Sequence, residues 1–545
     1  MRVFLLLTVG LLASISCSTR PTAVQTEIQQ NFNATPATAQ ATPRDPTVLF
    51  TIPVGDNGIH YADTDIDELE PWGPSSFTIA PDGTYLIVDS VANRILRFKP
   101  DGTQLPPIPV DDAVGITDVT TTSENIYVLD QKGMSPTLFR LSNEGRVEEK
   151  IDLMRARGGL RSRLQVETLT GITTAQNDAV VLEYEGLAAP RDLNNVPALD
   201  RAFRGNPFTA RVRPLQTQAQ EGGKGVVLKN GQPFAEIKVE NIVAELKVLG
   251  VNTTGDVYIV VDEIIPAPVV TIDQTVRRYR ADGTPIDMAR VPLAEYYTRS
   301  DADTVAIRPD GGVDALITRS NNLGAQVKHL EFKSQLDPIL PKTTFTPSAA
   351  ATPAGTCSRT RAQMLETARQ YHENRTSLTL DNLEGHCGGR RKPRYLGTTA
   401  GVYPSVPYDW GGFDTVADYR NAMSSGFQAG DIETCRGDCV EPCSKGVDCS
   451  GFVSRVWATN HEYTSTLPNI SNEINILELK TGDILNLPNR HVVLFEKLAG
   501  EDPQKNGLWA FEATTGGYDR VIYRQTNWRR WLGYTARRYK RVCAG

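Results

Sequence analysis

Long hydrophobic runs are scarce in this sequence of 545 residues. Beyond the N-terminus, no uninterrupted apolar run reaches the roughly 20 residues that a membrane-spanning helix requires. An excess of positive charge is missing as well, because the net charge is -7, and this argues against a protein that binds nucleic acid. With 40% hydrophobic and 22% charged residues, the composition is typical of a globular protein, and the chain is too long for one hydrophobic core.

Cysteine is nearly absent before residue 357, where Cys17 stands alone. Apart from Cys449, which is treated below, the rest of the chain contains an even-numbered set: Cys357, Cys387, Cys435, Cys439, Cys443 and Cys543. Such a set predicts up to three disulfides formed in an oxidising compartment, in a pairing that the sequence does not give.

A metal site is the competing interpretation of the cysteines at positions 435, 439 and 443. Their spacing is not a usual zinc pattern, and no histidine lies beside them. We therefore expect no metal and no cofactor.

The N-terminus has the pattern of an export signal. Arg2 precedes an apolar run from Val3 to Ala13, and the small residues after that run end at Cys17. A cysteine directly after small residues resembles a bacterial lipobox, although Ser14 stands where that pattern usually has leucine. The resemblance implies that residues 1–17 are a lipoprotein-type signal peptide, that Cys17 carries the lipid, and that the protein is exported to a bacterial cell envelope and anchored to a membrane. A plain cleaved signal with an incidental cysteine is the alternative.

Two stretches rich in Pro, Thr and Ala have no periodic apolar pattern. Residues 18–46 are predicted to be a disordered tether, and residues 334–356 are predicted to be a linker. The two stretches leave two segments, 47–333 and 357–545, that are expected to fold.

Residues 47–333 repeat one theme at a spacing of about 40–60 residues. The clearest copy has a Gly-Pro start, an aspartate that ends the second strand and an Asn-Arg-Ile third strand, at Gly73, Pro74, Asp89, Asn93, Arg94 and Ile95. Asp-Gly pairs between the strands supply the positive φ that tight hairpins need. Weaker copies begin near Gly115, Gly171, Gly250 and Val305.

Repeats of this kind and period are typical of a β-propeller. The first copy is similar to an NHL repeat, and we expect an all-β propeller of about six blades in which Phe50-Thr51-Ile52 completes the last blade. The only histidines of this part, His60 and His329, have no cysteine or paired carboxylates around them. We therefore expect the propeller to be a scaffold or to bind a protein or glycan ligand.

The candidate nucleophile lies in the stretch from Gly446 to Trp457. After Asp448 the apolar residues recur at helical spacing, at Phe452, Val453, Val456 and Trp457. This spacing predicts a helix that begins at Cys449 with Asp448 as its cap. The partial positive charge of a helix N-terminus lowers the pKa of a thiol, and the thiolate is the nucleophilic form. A buried cysteine with a structural role is the alternative.

The candidate base is His491, which opens a strand-like run after the turn at Pro488-Asn489. A strand would hold the ring rigidly against the helix, as a thiolate–imidazolium pair requires. The other histidines of this part, His372, His386 and His461, do not begin a strand. A third strand-like run contains Glu512, whose carboxylate could orient the far nitrogen of His491.

Four motifs in this order resemble the NlpC-type cell-wall cysteine peptidases, which have a papain-like α+β fold: Tyr408 to Gly412, Asp448 to Phe452, Gly482-Asp483 and His491-Val492. The resemblance covers roughly residues 357–543. It implies that Cys449 attacks, that His491 is the base and that Glu512 orients it. Tyr408 would line the site near the oxyanion, and the other implied substrate-binding residues are Trp410, Asp448 and Ser450.

Members of that family typically cleave the amide between D-γ-glutamyl and a diamino acid in peptidoglycan stem peptides, so peptidoglycan or a related peptide is the expected partner. This chain departs from the family in having Glu512 where His, Asn or Gln is usual, and in a long insertion between Gly412 and Val447 that contains three cysteines. The alternatives are a non-catalytic wall-binding lipoprotein and a transacylase or amidase that acts on another substrate.

Overall fold

The computed structural model describes residues 45–345 and 357–543, with gaps at 46, 65, 67, 122–123, 153–165, 175–176, 185–207, 321, 386, 434–439 and 499–506. The predicted signal peptide with Cys17, most of the predicted tether, the end of the linker, and Cys435 and Cys439 lie outside the described residues.

The N-terminal part consists of antiparallel sheets that follow one another along the chain. The first contains β2–β5 (Phe77–Ile79, Tyr85–Asp89, Arg94–Phe98, Gln104–Pro109), and the second contains β6–β9 (Ile116–Thr121, Asn125–Asp130, Thr137–Ser142, Val147–Asp152). A two-stranded sheet, β10–β11 (Val166–Thr174, Asn177–Tyr184), is followed by β12–β14 (Phe208–Val212, Gly223–Lys229, Gln232–Val239). The next sheet contains β15–β18 (Ile242–Val251, Val257–Ile264, Ile272–Tyr279, Pro285–Val291).

The last sheet of this part joins the two ends of the propeller. It combines β19–β21 (Val305–Ile307, Val313–Thr318, Ala325–His329) with β1 (Val48–Ile52), which pairs with β21. Phe50 and Ile52 are buried in the same apolar cluster as Leu316 and Val327. The predicted closure of the ring by residues 50–52 is therefore confirmed.

The first strands of five sheets form the centre of the propeller. β2, β6, β10, β15 and β19 contact one another in this order, and β19 contacts β2. Because β10 contacts β15 directly, the sheet β12–β14 adds no inner strand between them, and it packs against β15 and the apolar face of its sheet. The described residues thus give five inner strands where about six blades were predicted, since the sheet β12–β14 packs beside a blade.

The Asp-Gly turns recur as the repeats predict. Gly83 and Gly283 have φ of 86° and 87°, a conformation that costs glycine little. The aspartates before them, Asp82 and Asp282, accept hydrogen bonds of 2.9 Å from the backbone two residues later, at Thr84 and Thr284. The same local chemistry therefore makes equivalent hairpins in two distant blades.

The C-terminal part has an α+β composition. Its six-stranded antiparallel sheet has the order β26-β31-β27-β28-β29-β30, with β26 at Ser471–Glu473, β27 at Ile484–Leu487, β28 at His491–Leu498, β29 at Leu508–Thr514, β30 at Arg520–Thr526 and β31 at Thr535–Tyr539. Two small sheets pair β22 (Arg375–Leu378) with β23 (Gly401–Pro404) and β24 (Gln428–Ala429) with β25 (Ser444–Lys445).

The described α-helices begin with α1 (Leu215–Glu221) in the propeller part. The others are α2 (Arg361–Glu373), α3 (Leu380–Glu384), α4 (Val416–Ser424), α5 (Cys449–Trp457) and α6 (Leu467–Ile470). Three short 3-10 turns cover Leu293–Glu295, Ile476–Glu478 and Trp528–Trp531. Among the described residues, no helix combines the length and the apolar character needed to cross a membrane.

Helix α5 lies at the centre of the C-terminal core. It packs against α2 on one side and against β28 and β29 on the other. Phe452, Val456 and Trp457 are completely buried. This packing brings the N-terminus of α5 next to the strand that begins at His491.

Two of the predicted disulfides are present. Cys357 pairs with Cys543 and thereby joins the two ends of the C-terminal part, while Cys387 pairs with Cys443. Cys449 is a free thiol. Among the cysteines that the structure describes, the unpaired one is thus the residue that the sequence singles out as a nucleophile.

The two parts share an extensive contact. One apolar cluster combines propeller residues such as Ile242 and Ile272 with Trp528 and Trp531 of the C-terminal part. Backbone hydrogen bonds of 2.9 Å join Val270 to Tyr534 and Gly533 to Val270. The propeller therefore supports the C-terminal sheet directly.

We predict that Ile52→Ala destabilises the propeller, because the side chain closes the ring and is completely buried. A large-to-small change at such a site costs about 2–5 kcal/mol. Thr51→Ala is the matched control, since Thr51 is exposed on the same strand and such surface changes stay within about 0.5 kcal/mol. Urea unfolding measures both, and equal midpoints for the two variants would show that β1 does not hold the ring closed.

Candidate active site

Cys449 is the first residue of helix α5. Asp448 caps the helix, because its carboxylate accepts a 2.5 Å hydrogen bond from the backbone N–H of Gly451. The hydroxyl of Ser450 donates to the same carboxylate oxygen at 3.0 Å. The predicted helix start and cap are both confirmed, and the sulfur faces the positive end of the helix dipole.

The sulfur of Cys449 lies against the beginning of strand β28. The backbone N–H groups of Val492 and Ser450 favour the thiolate form of the sulfur. Burial has the larger effect and, together with the carboxylates of Glu68 and Asp448, raises the pKa of the thiol well above its usual value. In this arrangement Cys449 is a neutral thiol, and its neighbour Val492 directly follows the candidate base.

The ring of His491 is fixed by Glu512. Nε2 of the ring and Oε2 of the carboxylate are 3.0 Å apart, and both side chains are buried. An ionised carboxylate can only accept, so Nε2 carries the hydrogen and Nδ1 is the nitrogen left to take a proton. Glu512 thus binds Nε2, the far nitrogen of His491, as the sequence predicts for an orienting carboxylate.

Arg524 on strand β30 holds Glu512 in its ionised form. Burial disfavours the charge of Glu512, but the guanidinium of Arg524 and the hydrogen bond from His491 outweigh burial and keep the pKa of this carboxyl well below its ordinary value. Nε of Arg524 lies 2.6 Å from Oε1 of Glu512. Its Nη1 donates at 2.9 Å to Asp301, which belongs to the propeller. The charged groups of Glu512, Arg524 and Asp301 therefore link His491 to the propeller.

The other predicted site residues surround the sulfur. Tyr408 is buried, and the pKa of its hydroxyl is raised by burial and by the negative charge that Cys449 and Asp448 can carry. Trp410 is buried in the same apolar cluster as Cys449. The hydroxyl of Ser450 is bonded to the capping carboxylate, so its observed role is in the helix cap.

Asp448 itself has a raised pKa, at about 6. Burial is the main cause, and the hydrogen bonds from Gly451 and Ser450 oppose it. The second carboxylate oxygen lies 4.0 Å from Nε2 of His461, whose ring stacks on Phe413. A buried carboxylate of this kind could receive the amino group of a ligand.

A segment of the propeller fills the space above Cys449. We call Ile66, Glu68, Leu69 and Glu70, which lie between β1 and β2, the cleft segment. The sulfhydryl of Cys449 lies 3.7 Å from the backbone carbonyl of Glu68 and 3.9 Å from its Oε2. Cys449 has no exposed surface in this arrangement.

The helix that begins at Cys449 packs against strand β28, and the ring of His491 at the start of that strand stacks on Trp531, with the ring centroids 6.4 Å apart. Among the residues that the structure describes, no hydrogen bond joins the sulfur of Cys449 to the ring of His491, because the sulfhydryl points to Glu68. Nucleophilic catalysis requires the thiol to come within hydrogen-bond reach of Nδ1 of His491.

A metal centre does not fit the described residues around the cysteine-rich insertion. Ligand atoms of Cys387, Cys443 and Glu441 lie within 4.8 Å of one another. The two sulfurs are joined in a disulfide, however, which leaves a single carboxylate as a ligand.

Sequence reasoning missed Arg524, Glu68 and Thr464. Glu512 pairs with Ile522 across the sheet, so Arg524 lies diagonally opposite on the same face. An arginine at this offset from a buried glutamate is a signal that the strand pattern contains. Glu68 has no such signal, because it reaches the site from 381 residues away along the chain.

We predict that Arg524→Met destabilises the protein by about 3–5 kcal/mol, because it leaves the buried carboxylate of Glu512 without its cation. Arg146→Met is the control, since the side chain of Arg146 is 78% exposed. Thermal and urea unfolding measure both variants. A second change, Glu512→Leu in the Arg524→Met chain, should restore part of the loss, and no restoration would contradict the assigned ion pair.

Comparison with known proteins leaves the family of this chain open. The sequence matches no protein-family model, and no curated protein is detectably similar to it. Solved structures align with about half of the chain. A streptogramin B lyase has a TM-score of 0.25 and 13% identity over 50% of this chain and 97% of its own.

Two further solved structures give the same result. A DUF4221-family protein from Bacteroides vulgatus has a TM-score of 0.28 and 10% identity over 52% of this chain and 96% of its own. A glucose dehydrogenase has a TM-score of 0.25 and 13% identity over 49% of this chain and 97% of its own. Scores this low carry no argument about activity, and the propeller fold rests on the sheets and the ring closure described above.

Proposed function

We propose that this protein is a cysteine hydrolase that cleaves amide bonds in peptidoglycan stem peptides, with Cys449 as the nucleophile, His491 as the base and Glu512 as the orienting carboxylate. One observation carries the proposal. Helix α5 packs against strand β28, so the N–H of Val492, the residue next to His491, favours the thiolate of Cys449, and the far nitrogen of that histidine is hydrogen-bonded to Glu512.

The proposed reaction has two steps. Nδ1 of His491 takes the thiol proton while the sulfur attacks the carbonyl carbon of the scissile amide, and the imidazolium then gives that proton to the leaving amine. Water, deprotonated by His491, next attacks the thioester and releases the acid and the free thiol. In this reaction the hydroxyl of Tyr408 and the N–H groups at the start of α5 would donate hydrogen bonds to the carbonyl oxygen.

The substrate class is supported by the NlpC-type motifs and by the site itself. Asp448 is a buried carboxylate beside the nucleophile, which suits a peptide with a free amino group. In the NlpC-type family the equivalent aspartate helps to receive the amino end of the substrate in some members, and we assign this role to Asp448.

We also propose that the protein acts outside the cytoplasm, lipid-anchored through Cys17 in a bacterial envelope. Two disulfides in the C-terminal part suit an oxidising compartment. The propeller would be the scaffold of the catalytic part or bind a protein or glycan ligand.

A non-catalytic wall-binding protein is the second candidate. The complete burial of Cys449 and its raised pKa favour it, because an active nucleophile must reach substrate and ionise.

We predict that Cys449→Ser abolishes the release of muropeptides from purified peptidoglycan while the melting temperature changes little, because serine is nearly isosteric but is not activated by this base. His491→Ala should also abolish cleavage. Mass spectrometry of the products identifies the bond and separates hydrolysis from acyl transfer to an added amine. Full activity of Cys449→Ser would contradict the proposal. Absence of cleavage in a variant that releases the cleft segment, such as Glu68→Ala, would favour the wall-binding candidate.

A further inference from the structure

The cleft segment places a peptide carbonyl at the nucleophile. The carbonyl oxygen of Glu68 accepts from the hydroxyl of Tyr408 at 3.3 Å and from the sulfhydryl of Cys449 at 3.7 Å. These are the groups that the proposed reaction uses to receive the scissile carbonyl. The segment therefore occupies the position of a substrate acyl group.

The side chain of Glu68 fits a built pocket. Its Oε1 accepts from the hydroxyl of Thr464 at 2.8 Å and from the backbone N–H of the same residue at 3.1 Å. The amide of Asn486 donates at 3.0 Å to the carbonyl of Thr464 and keeps this loop in place. Only 3% of Glu68 is exposed, although glutamate is rarely buried without such partners.

Leu69 and Glu70, which follow Glu68, also bind the C-terminal part. Leu69 is buried in the same apolar cluster as Trp410 and Cys449. The carboxylate of Glu70 lies 2.9 Å from the guanidinium of Arg530, on the 3-10 turn that follows β30. The segment thus binds the C-terminal part through the backbone of Glu68, the acidic side chains of Glu68 and Glu70, and the apolar side chain of Leu69.

We propose that the cleft is a binding surface for an acidic peptide segment, and that the cleft segment is its resident occupant, an internal inhibitor that must withdraw before substrate reaches Cys449. That Cys449 is a nucleophile rests on the proposed function, whereas the contact between the cleft segment and Cys449 does not.

Backbone conformation and charge support this inhibitory role. Glu68 has φ of 62°, a left-handed conformation that glutamate adopts at a cost and keeps only where its surroundings enforce it. Its carboxylate also helps to raise the pKa of Cys449, after the larger effect of burial. Withdrawal of the segment would expose the thiol to solvent and take the charge of Glu68 away from it.

The test is the rate at which iodoacetamide modifies Cys449, measured by peptide mapping in the full-length protein. Glu68→Ala removes the side chain that binds Thr464, and we expect modification to be at least about tenfold faster than in the native protein, since the open form becomes more populated. Glu236→Ala is the matched control, because Glu236 is an exposed propeller glutamate far from the cleft, and its rate should equal the native rate.

Leu69→Asp is the second variant, since a charge in the apolar cluster should expel the segment without any change at Thr464. Melting curves show which variants are folded. Faster modification in the folded variants supports the proposal. Native rates in folded Glu68→Ala and Leu69→Asp would overturn it.

Muropeptide release, measured on the same samples, separates this inference from the proposed function. Faster modification of Cys449 without any cleavage would leave the internal inhibitor standing and refute the hydrolase. Cleavage at equal rates in the native protein and both variants, together with equal modification rates, would refute the inhibitor and leave the hydrolase standing.

Discussion

The buried ion pair between Arg524 and Glu512 is the interaction on which the candidate site depends. A carboxylate with no access to water stays ionised only beside a cation, and an ionised Glu512 fixes both the rotation and the tautomer of His491. Arg524 is in turn bonded to Asp301 of the propeller. The orientation of the candidate base therefore depends on the docking of the two parts.

Two neighbouring arginines make further contacts between the C-terminal part and the propeller. Arg529 enters the propeller and lies 3.1 Å from Asp262, whose pKa is raised to about 8 because burial outweighs the nearby guanidinium. Arg530 binds Glu70 of the cleft segment. Neighbouring arginines thus tie the C-terminal sheet to the propeller body and to the segment that covers Cys449, so the propeller both supports the candidate site and closes it.

Local features of the fold could be predicted from the sequence. The Asp-Gly hairpins, the helix start at Cys449 and the strand start at His491 each depend on residues close together in the chain. The closing strand at residues 50–52 pairs with a distant strand, and it could be predicted because a ring of repeats needs a strand to complete its last blade. The blade count and the cover of the cleft could not be predicted, because they depend on packing between distant segments. Glu68 meets Thr464 after a separation of 396 residues, and no local pattern records such a contact.

The central claim is that Cys449 and His491 act as a thiol–imidazole pair. The pH dependence of carboxymethylation at Cys449 tests it most directly, compared between Glu68→Ala, in which the cleft segment is released, and the same variant with His491→Gln added. The usual pKa of a free cysteine is about 8.5. A thiol coupled to His491 should keep reacting well below that pH, and this reactivity should vanish when His491 is replaced by Gln. Identical profiles for the two proteins would contradict the pairing.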